Sequence, residues 1–457
     1  MTRTLFGTDG VRGVAGKLLS AELALALGRA ATARVAARRP QVLIIRDTRE
    51  SGAMLQAALA AGVSAAGGDA LLGGVLPTPA APLLIARYDF DLAAVISASH
   101  NPYEDNGIKF FGADGFKLSD EDELEIERAL ARNAGGEGLA RGEGVAREGG
   151  ESGDHPPAIG GVRELRGTGE DYLRELHTRF RDLDLDGLDV LLDCANGATY
   201  RVAPEIFRRL GANVTVIADS PDGRNINAGC GSTHVDALAE RVRAGGHAVG
   251  FAFDGDGDRV LAVDCAGEVV DGDELMALAA LHLKRSGRLT GGGVAVTVMT
   301  NYGFHAAMRD AEIEVASTSV GDRYVLEALR ERGWVLGGEQ SGHIIDMSFN
   351  RSGDGIASAL LALEALDGRP LSERNAMAKL PQRLVNVRVR DRGALHGAKV
   401  VLAAVRAEDD ALTGRGRVLV RPSGTEPLVR VMVEAPTDDE AEAVCGRLVA
   451  LVERELA

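Results

Sequence analysis

Residues 189–217 read DVLLDCANGATYRVAPEIFRRLGANVTVI. A short apolar run rich in β-favouring residues gives way to a small polar loop, then to an amphipathic helical stretch ending near Gly211, then to a second apolar run. That is the pattern of a β-α-β unit. It recurs on both sides, in VLIIRDTRESGAMLQAALAAG (42–62) and in GVAVTVMTNYGFHAAMRDAEIEVAS (293–317). Three α/β units in series are expected. The end of the chain differs. GRGRVLVRPSGTEPLVRVMVEAPTDDEAEAVCGRLVALVERELA (414–457) reads as strand, tight polar turn, strand and a closing helix that starts at Thr437, with Asp438, Asp439 and Glu440 in its first turn. A smaller α+β domain therefore completes the molecule. NAGGEGLARGEGVAREGGESGDHPP (133–157) has little to bury and reads as a mobile connection or an exposed excursion near a domain boundary, between the first and second units. The expected domains are 1–160, 161–258, 259–373 and 374–457.

A chain of 457 residues with 45% hydrophobic and 26% charged residues has ordinary globular composition. Its net charge of −16 argues against a nucleic-acid or anionic-membrane surface, both of which need a basic footprint. Four scattered cysteines without a C-x-x-C pair fit a reduced compartment better than a disulfide or zinc framework. The N-terminal stretch has no apolar signal region, and no later run approaches the ~18 apolar residues of a membrane helix. These features together predict a cytoplasmic protein.

Chemistry concentrates in a few loops. In AAVISASHNPYEDNGIKFFGADG (93–115) an apolar strand delivers Ser99 and His100 at its carboxyl end, where ligands bind in α/β folds. FAFDGDGDRV (251–260) alternates Asp254, Asp256 and Asp258 with glycines. A locally extended loop would put the three carboxylates on one side, and hard oxygen ligands favour Mg²⁺ or Ca²⁺. An EF-hand fails because its sixth position is Arg259 and its twelfth Cys265. RPSGTEPLVR (421–430) sets Arg421 and Arg430 around Ser423, Gly424 and Thr425, a candidate phosphate grip that could equally be a hairpin turn. GGEQSGHII (337–345) spaces Glu339, Ser341 and His343 by two, aiming them alike in an extended loop, as a sugar's hydroxyls would require. Arg12 lies in a glycine-rich loop, and Lys109 follows Ser99 by ten residues. A serine hydrolase is disfavoured: no G-x-S-x-G elbow occurs, and His100 as sequence neighbour is poorly placed to reach back to Ser99. No Walker A loop is present.

In order along the chain, FGTDGVRG (6–13), ISASHNPYEDNGIKFFG, DGDGDR, VGDRY (320–324), GGEQSGH and RPSGTEPLVR resemble the alpha-D-phosphohexomutase family over essentially the whole length. The resemblance implies four domains around a central cleft, the first three of related topology. It also implies that Ser99 carries a phosphoryl group and that Asp254, Asp256 and Asp258 hold one Mg²⁺ together with that phosphoserine. On the same basis Glu339, Ser341 and His343 hold the sugar, while Arg421, Ser423, Gly424, Thr425 and Arg430 grip the phosphate not being transferred. Arg12, Lys109 and Arg259 offset the negative charge, and Lys109 or His100 moves the proton, the lysine only with a depressed pKa. Gln340 and NINAGCGSTH (225–234) look like the glucosamine branch, whereas Thr300 and Tyr302 depart from that branch's usual Ser and Leu. The implied reaction interconverts glucosamine 6-phosphate and glucosamine 1-phosphate through a glucosamine 1,6-bisphosphate, supplying amino-sugar nucleotide and peptidoglycan precursors. The alternatives are a phosphoglucomutase/phosphomannomutase and a non-enzymatic metal-binding protein. A phosphosugar is the expected partner, with no nucleic acid or membrane, and a homodimer is possible.

Overall fold

The computed structural model of the chain describes residues 4–7, 9–134, 159–422 and 427–456. The connection expected at 133–157 lies outside them beyond Ala134. By contacts the chain divides into two units: residues 1–297 with 318–374, and residues 298–317 with 375–457.

Inside the first sheet of the first unit lies the run Val42–Ile45, whose side chains are wholly buried. Burial on both faces is what a central parallel strand experiences. The sheet holds β1 (Val11–Val14), β2 (Gln41–Arg46), β3 (Asp69–Val75), β4 (Leu92–Ile96), β5 (Asp105–Gly112) and β6 (Val162–Glu164), in the order β1-β5-β4-β2-β3-β6. Strand β2 pairs parallel with β3 and β4, and β5 turns back antiparallel on β4. Helices Ala21–Ala33 and Gly52–Ala65 pack through facing glycines. A Cβ on Gly62 would lie 2.0 Å from the Leu25 carbonyl, and one on Gly28 2.4 Å from that of Leu59.

The stretch 189–217 forms β7 (Asp189–Asp193), helix Val202–Arg209 and β8 (Asn213–Ile217). With β9 (Val249–Phe253), β10 (Val260–Asp264) and β11 (Val269–Val270) these make a sheet ordered β11-β10-β9-β7-β8. The third pattern forms β12 (Gly293–Thr297), helix Tyr302–Asp310 and β13 (Glu314–Thr318). Strand β12 pairs parallel with β14 (Leu336–Gly338), and β15 (Ile344–Asp346) turns back antiparallel on β14.

One motif thus appears three times. A first strand pairs parallel with a third, and a fourth folds back on the third: β2, β4 and β5; β7, β9 and β10; β12, β14 and β15. The connections between third and fourth strands hold Ser99, the three aspartates, and Glu339 with His343. Each starts at the carboxyl end of a parallel strand, where open α/β sheets bind ligands.

In the second unit β16 (Gln382–Arg388), β17 (Arg417–Pro422) and β18 (Leu428–Glu434) form an antiparallel sheet ordered β16-β18-β17. Helix Asp438–Leu456 packs on it through Ala441, Val444, Cys445, Leu448 and Val452. Its start matches the sequence, since the Thr437 hydroxyl accepts the Glu440 N–H at 3.2 Å. Segment 298–317 joins this unit through fully buried Glu434, which accepts from Arg417 Nε at 2.7 Å and from the Tyr302 N–H at 2.8 Å. Arg417 also donates to the Thr300 carbonyl at 2.6 Å. Both contacts use backbone atoms of the segment, so they do not depend on the side chains of Thr300 and Tyr302. Cys194, Cys230 and Cys445 are buried free thiols, and Cys265 is an exposed one. Among the described residues no helix is long and apolar enough to cross a membrane.

Candidate active site

Strand β4 ends at Ile96, and three residues later Ser99 takes a left-handed backbone at φ 51. Few L-residues adopt this region, and here it turns the buried hydroxyl toward the aspartate loop. Ser99 Oγ donates to Asp254 Oδ2 and lies 3.3 Å from His100 Nδ1. The expectation that His100 could not reach its neighbour is therefore corrected, because the left-handed turn brings the ring back to the hydroxyl. Burial, and then Arg259 and Arg12, hold His100 below the usual imidazole pKa, which favours its neutral form.

The aspartates converge, although not on an extended loop. Residues 254–259 fold into a turn, closed by the Gly257 N–H donating to the Asp254 carbonyl at 3.1 Å, with Gly257 at φ 70. One carboxylate oxygen from each of Asp254, Asp256 and Asp258 comes within 4.8 Å of the other two. Burial, then the charges of Asp258 and Asp256, push Asp254 well above the ordinary carboxylate range. Burial also opposes ionisation of Asp256, but Lys109 and a hydrogen bond from Thr78 outweigh it and hold that carboxyl low. Thr78 Oγ1 donates to Asp256 at 2.6 Å and Lys109 Nζ at 2.9 Å. Among the described residues the buried Oδ1 atoms of Asp256 and Asp258 have no hydrogen-bond partner. Three convergent carboxylates with unsatisfied oxygens fit a hard divalent cation, and they suit Mg²⁺, which needs few protein ligands when phosphate supplies others.

Lys109 is buried between Asp256, Asp9 at 3.3 Å and Asp258 at 3.9 Å. Burial disfavours its charge, yet these three carboxylates raise its pKa well above the usual lysine value. Proton transfer by this lysine would require the opposite shift.

A cavity of about 410 Å³ opens over these groups, lined among others by Asp9, Arg12, Ser99, His100, Asp258, Arg259, Asp322, Glu339 and His343. Among the described residues the buried Nε atoms of Arg12 and Arg259 have no hydrogen-bond acceptor, as suits a pocket for anions. The loop after β14 is clamped to the aspartate loop, with the Val260 N–H donating to the Gly342 carbonyl at 3.1 Å. His343 lies 3.6 Å from Asp258 and 3.8 Å from Asp322. Ser341 is the exception: it stands exposed on a turn, where the expected two-residue alternation fails, and does not line the cavity.

In the second unit Arg421 and Arg430 are direct cross-strand partners on β17 and β18. Burial, and then its neighbour Arg430, lower the Arg421 pKa, and among the described residues the Nε of Arg430 has no hydrogen-bond acceptor. Two guanidiniums held side by side suit an anionic ligand. Ser423, Gly424 and Thr425 lie outside the described residues.

Some residues at the site were assigned no part from the sequence. Lys117 bridges Asp9 and Asp322 at 2.5 Å each, tying FGTDGVRG to VGDRY. Both acids sat inside recognised motifs, which was the available signal. Thr78 had none beyond its place between two prolines.

Comparison with known proteins agrees with this geometry. Family models described as phosphoglucomutase/phosphomannomutase match in order: alpha/beta/alpha domain I over residues 3–136, domain II over 170–267, domain III over 271–383 and the C-terminal domain over 384–451. The chain belongs to the phosphoglucomutase/phosphomannomutase family. Within this phosphohexomutase family it is similar to the phosphoglucosamine mutase of Moorella thermoacetica, 51% identical over 97% of this chain and 98% of the relative. The phosphoglucosamine mutase of Bacillus subtilis is 46% identical over 99% and 98%. A solved family member from Burkholderia thailandensis has the same fold, with TM-score 0.79 and 23% identity over 100% and 98% of the two chains. So does an Aspergillus fumigatus N-acetylphosphoglucosamine mutase, solved with GlcNAc-6P and magnesium, with TM-score 0.69 and 18% identity over 99% and 96%.

Proposed function

We propose that this phosphohexomutase interconverts glucosamine 6-phosphate and glucosamine 1-phosphate, with Ser99 as phosphate carrier and a 1,6-bisphosphate as intermediate. The observation that carries the reading is Ser99 Oγ donating to Asp254 within the carboxylate cluster, at the floor of a cavity lined by arginines. The choice of amino sugar is supported by relatives of that name at 45–51% identity over nearly full length.

In the forward direction the bond from phosphorus to Ser99 Oγ breaks as one forms to the sugar's C1 oxygen. The C1 hydroxyl proton passes to neutral His100 Nδ1, which returns a proton to Ser99 Oγ. The bisphosphate then presents its 6-phosphate to Ser99, and the same steps run in reverse. Such transfers need positioning and charge neutralisation more than covalent help. Arg12 and Arg259 meet the moving phosphoryl oxygens, and Lys109 keeps its charge to balance Asp256 and Asp258. Asp254, Asp256 and Asp258 would hold one Mg²⁺, which supplies further neutralisation of phosphoryl charge. Glu339 and His343 face the sugar, and Arg421 and Arg430, with Ser423, Gly424 and Thr425, grip the second phosphate. The four-domain division at about residues 160, 258 and 373 belongs to the same proposal.

The test is kcat/KM for glucosamine 1-phosphate against glucose 1-phosphate and mannose 1-phosphate, with Mg²⁺ and a trace of bisphosphate. A preference of roughly tens-fold for the amino sugar, about 2 kcal/mol in the transition state, is expected. A preference for glucose or mannose phosphate would leave the chemistry at Ser99 standing and overturn the substrate.

A further inference from the structure

The Ser99 carbonyl is held from two sides by residues that touch no reacting atom. Arg49 is wholly buried and paired with Asp47 at 2.9 Å. Its Nη2 donates to the carbonyls of Ser99 and Asn101, both at 2.9 Å, and its Nη1 to those of Asp105, at 2.9 Å, and Pro102. Asp47 also accepts the Ser97 hydroxyl at 2.6 Å, and Ser97 Oγ accepts the Ser99 N–H at 3.0 Å. Every donor of this guanidinium that leaves Asp47 is spent on the loop carrying Ser99.

The second grip comes from NINAGCGSTH, the stretch whose resemblance to the glucosamine branch the sequence offered. Asn227 Nδ2 donates to the same two carbonyls, Ser99 at 2.9 Å and Asn101 at 3.1 Å. Asn227 is itself left-handed at φ 57, and its N–H is anchored on the Ala195 carbonyl at 2.9 Å. The metal loop closes the junction: a Cβ on Gly255 would lie 2.5 Å from the Ser99 carbonyl oxygen and 2.8 Å from Asn227 Nδ2. One amide therefore meets both the serine loop and the aspartate loop.

We infer that Arg49 and Asn227 are positioning residues for phosphoryl transfer, fixing the left-handed turn at Ser99, with Asn227 setting its distance from the aspartates. The inference rests on Ser99 being the phosphate carrier. A left-handed serine is disfavoured alone and persists only where its surroundings over-determine it. Misplacement of a reacting oxygen by about 1 Å costs on the order of 10²-fold in rate.

Two substitutions isolate the amide. Asn227→Gly removes it while accepting the left-handed backbone, and Asn227→Asp keeps the shape but sets a carboxylate against two carbonyls. Loading of Ser99 from a hexose 1,6-bisphosphate is followed by intact mass, alongside kcat, KM for glucosamine 1-phosphate and thermal midpoint. The expected result is a fall of about 10²-fold in loading rate and kcat, with KM within about threefold and the midpoint little changed. Arg49→Lys should keep more activity than Arg49→Met, because one donor still reaches the carbonyls. Loading at the wild-type rate in both Asn227 variants overturns the inference, as does a loss that only follows a collapsed midpoint or a raised KM. Wild-type enzyme that takes up no phosphate at Ser99 overturns instead the reading beneath it.

Discussion

At Ser99 a single backbone angle, φ 51, separates what a sequence reader can and cannot see. Strand β4 and the serine at its end were legible, because an apolar run stopping at Ser, Asn and Pro has one common meaning. The left-handed turn was not, since serine has no preference for it and contacts from residues 49 and 227, remote in sequence, impose it. His100 was misjudged for the same reason. Ser99→Ala should abolish mutase activity while thermal unfolding stays near wild type, and measurable turnover would rule out the covalent route. His100→Gln should lower kcat by about 10²-fold with KM little changed, as expected for loss of a proton carrier. Wild-type kcat in that variant would return the proton to another group.

Among elements, the three turn-back connections do the work, and they were only partly legible. Their β-α-β lead-ins announced themselves by periodicity, but β14 and β15 are three residues each and too short to show alternation. Loop shape escaped as well: alternate spacing suggested extended segments, whereas close backbone approach folded both loops into turns. Gly342 shows the constraint, with φ 88 and a Cβ that would sit 2.0 Å from the Val260 carbonyl oxygen. Gly342→Ala should cost roughly 2–4 kcal/mol of stability, read from the urea midpoint, because strain and a backbone clash add. The aspartate loop offers a second measurement. With its three carboxylates crowded and Asp254 pushed upward, chelation should abolish activity and lower the thermal midpoint, and Mg²⁺ should restore both. Full activity in excess chelator would exclude a cation role for the cluster.

For the whole molecule, acid should act early on the second unit. Burial, then Arg417, lower the His305 pKa to about 4, against a hydrogen bond with the Thr300 backbone that works the other way. A depressed folded-state value means neutral His305 stabilises: the contribution is complete above the ordinary 6.5 and is lost as pH falls through about 4. His305→Gln should therefore lose less thermal stability than wild type between pH 7 and 4.5, and equal losses would clear this residue. The same unit bears on how such a chain can be taken apart. Family matches place a border at 383/384, yet residues 298–317 belong with 375–457, locked by Glu434, Arg417 and the paired bonds of Asn301 with Leu380 at 3.0 Å. A chimera that imports a relative's C-terminal domain at 384 alone would inherit a foreign counterpart to Glu434 and leave the native helix Tyr302–Asp310 with a mismatched host. Recombination that carries 298–317 along with the tail would move a complete part, so the exchangeable module of this enzyme is discontinuous in its gene.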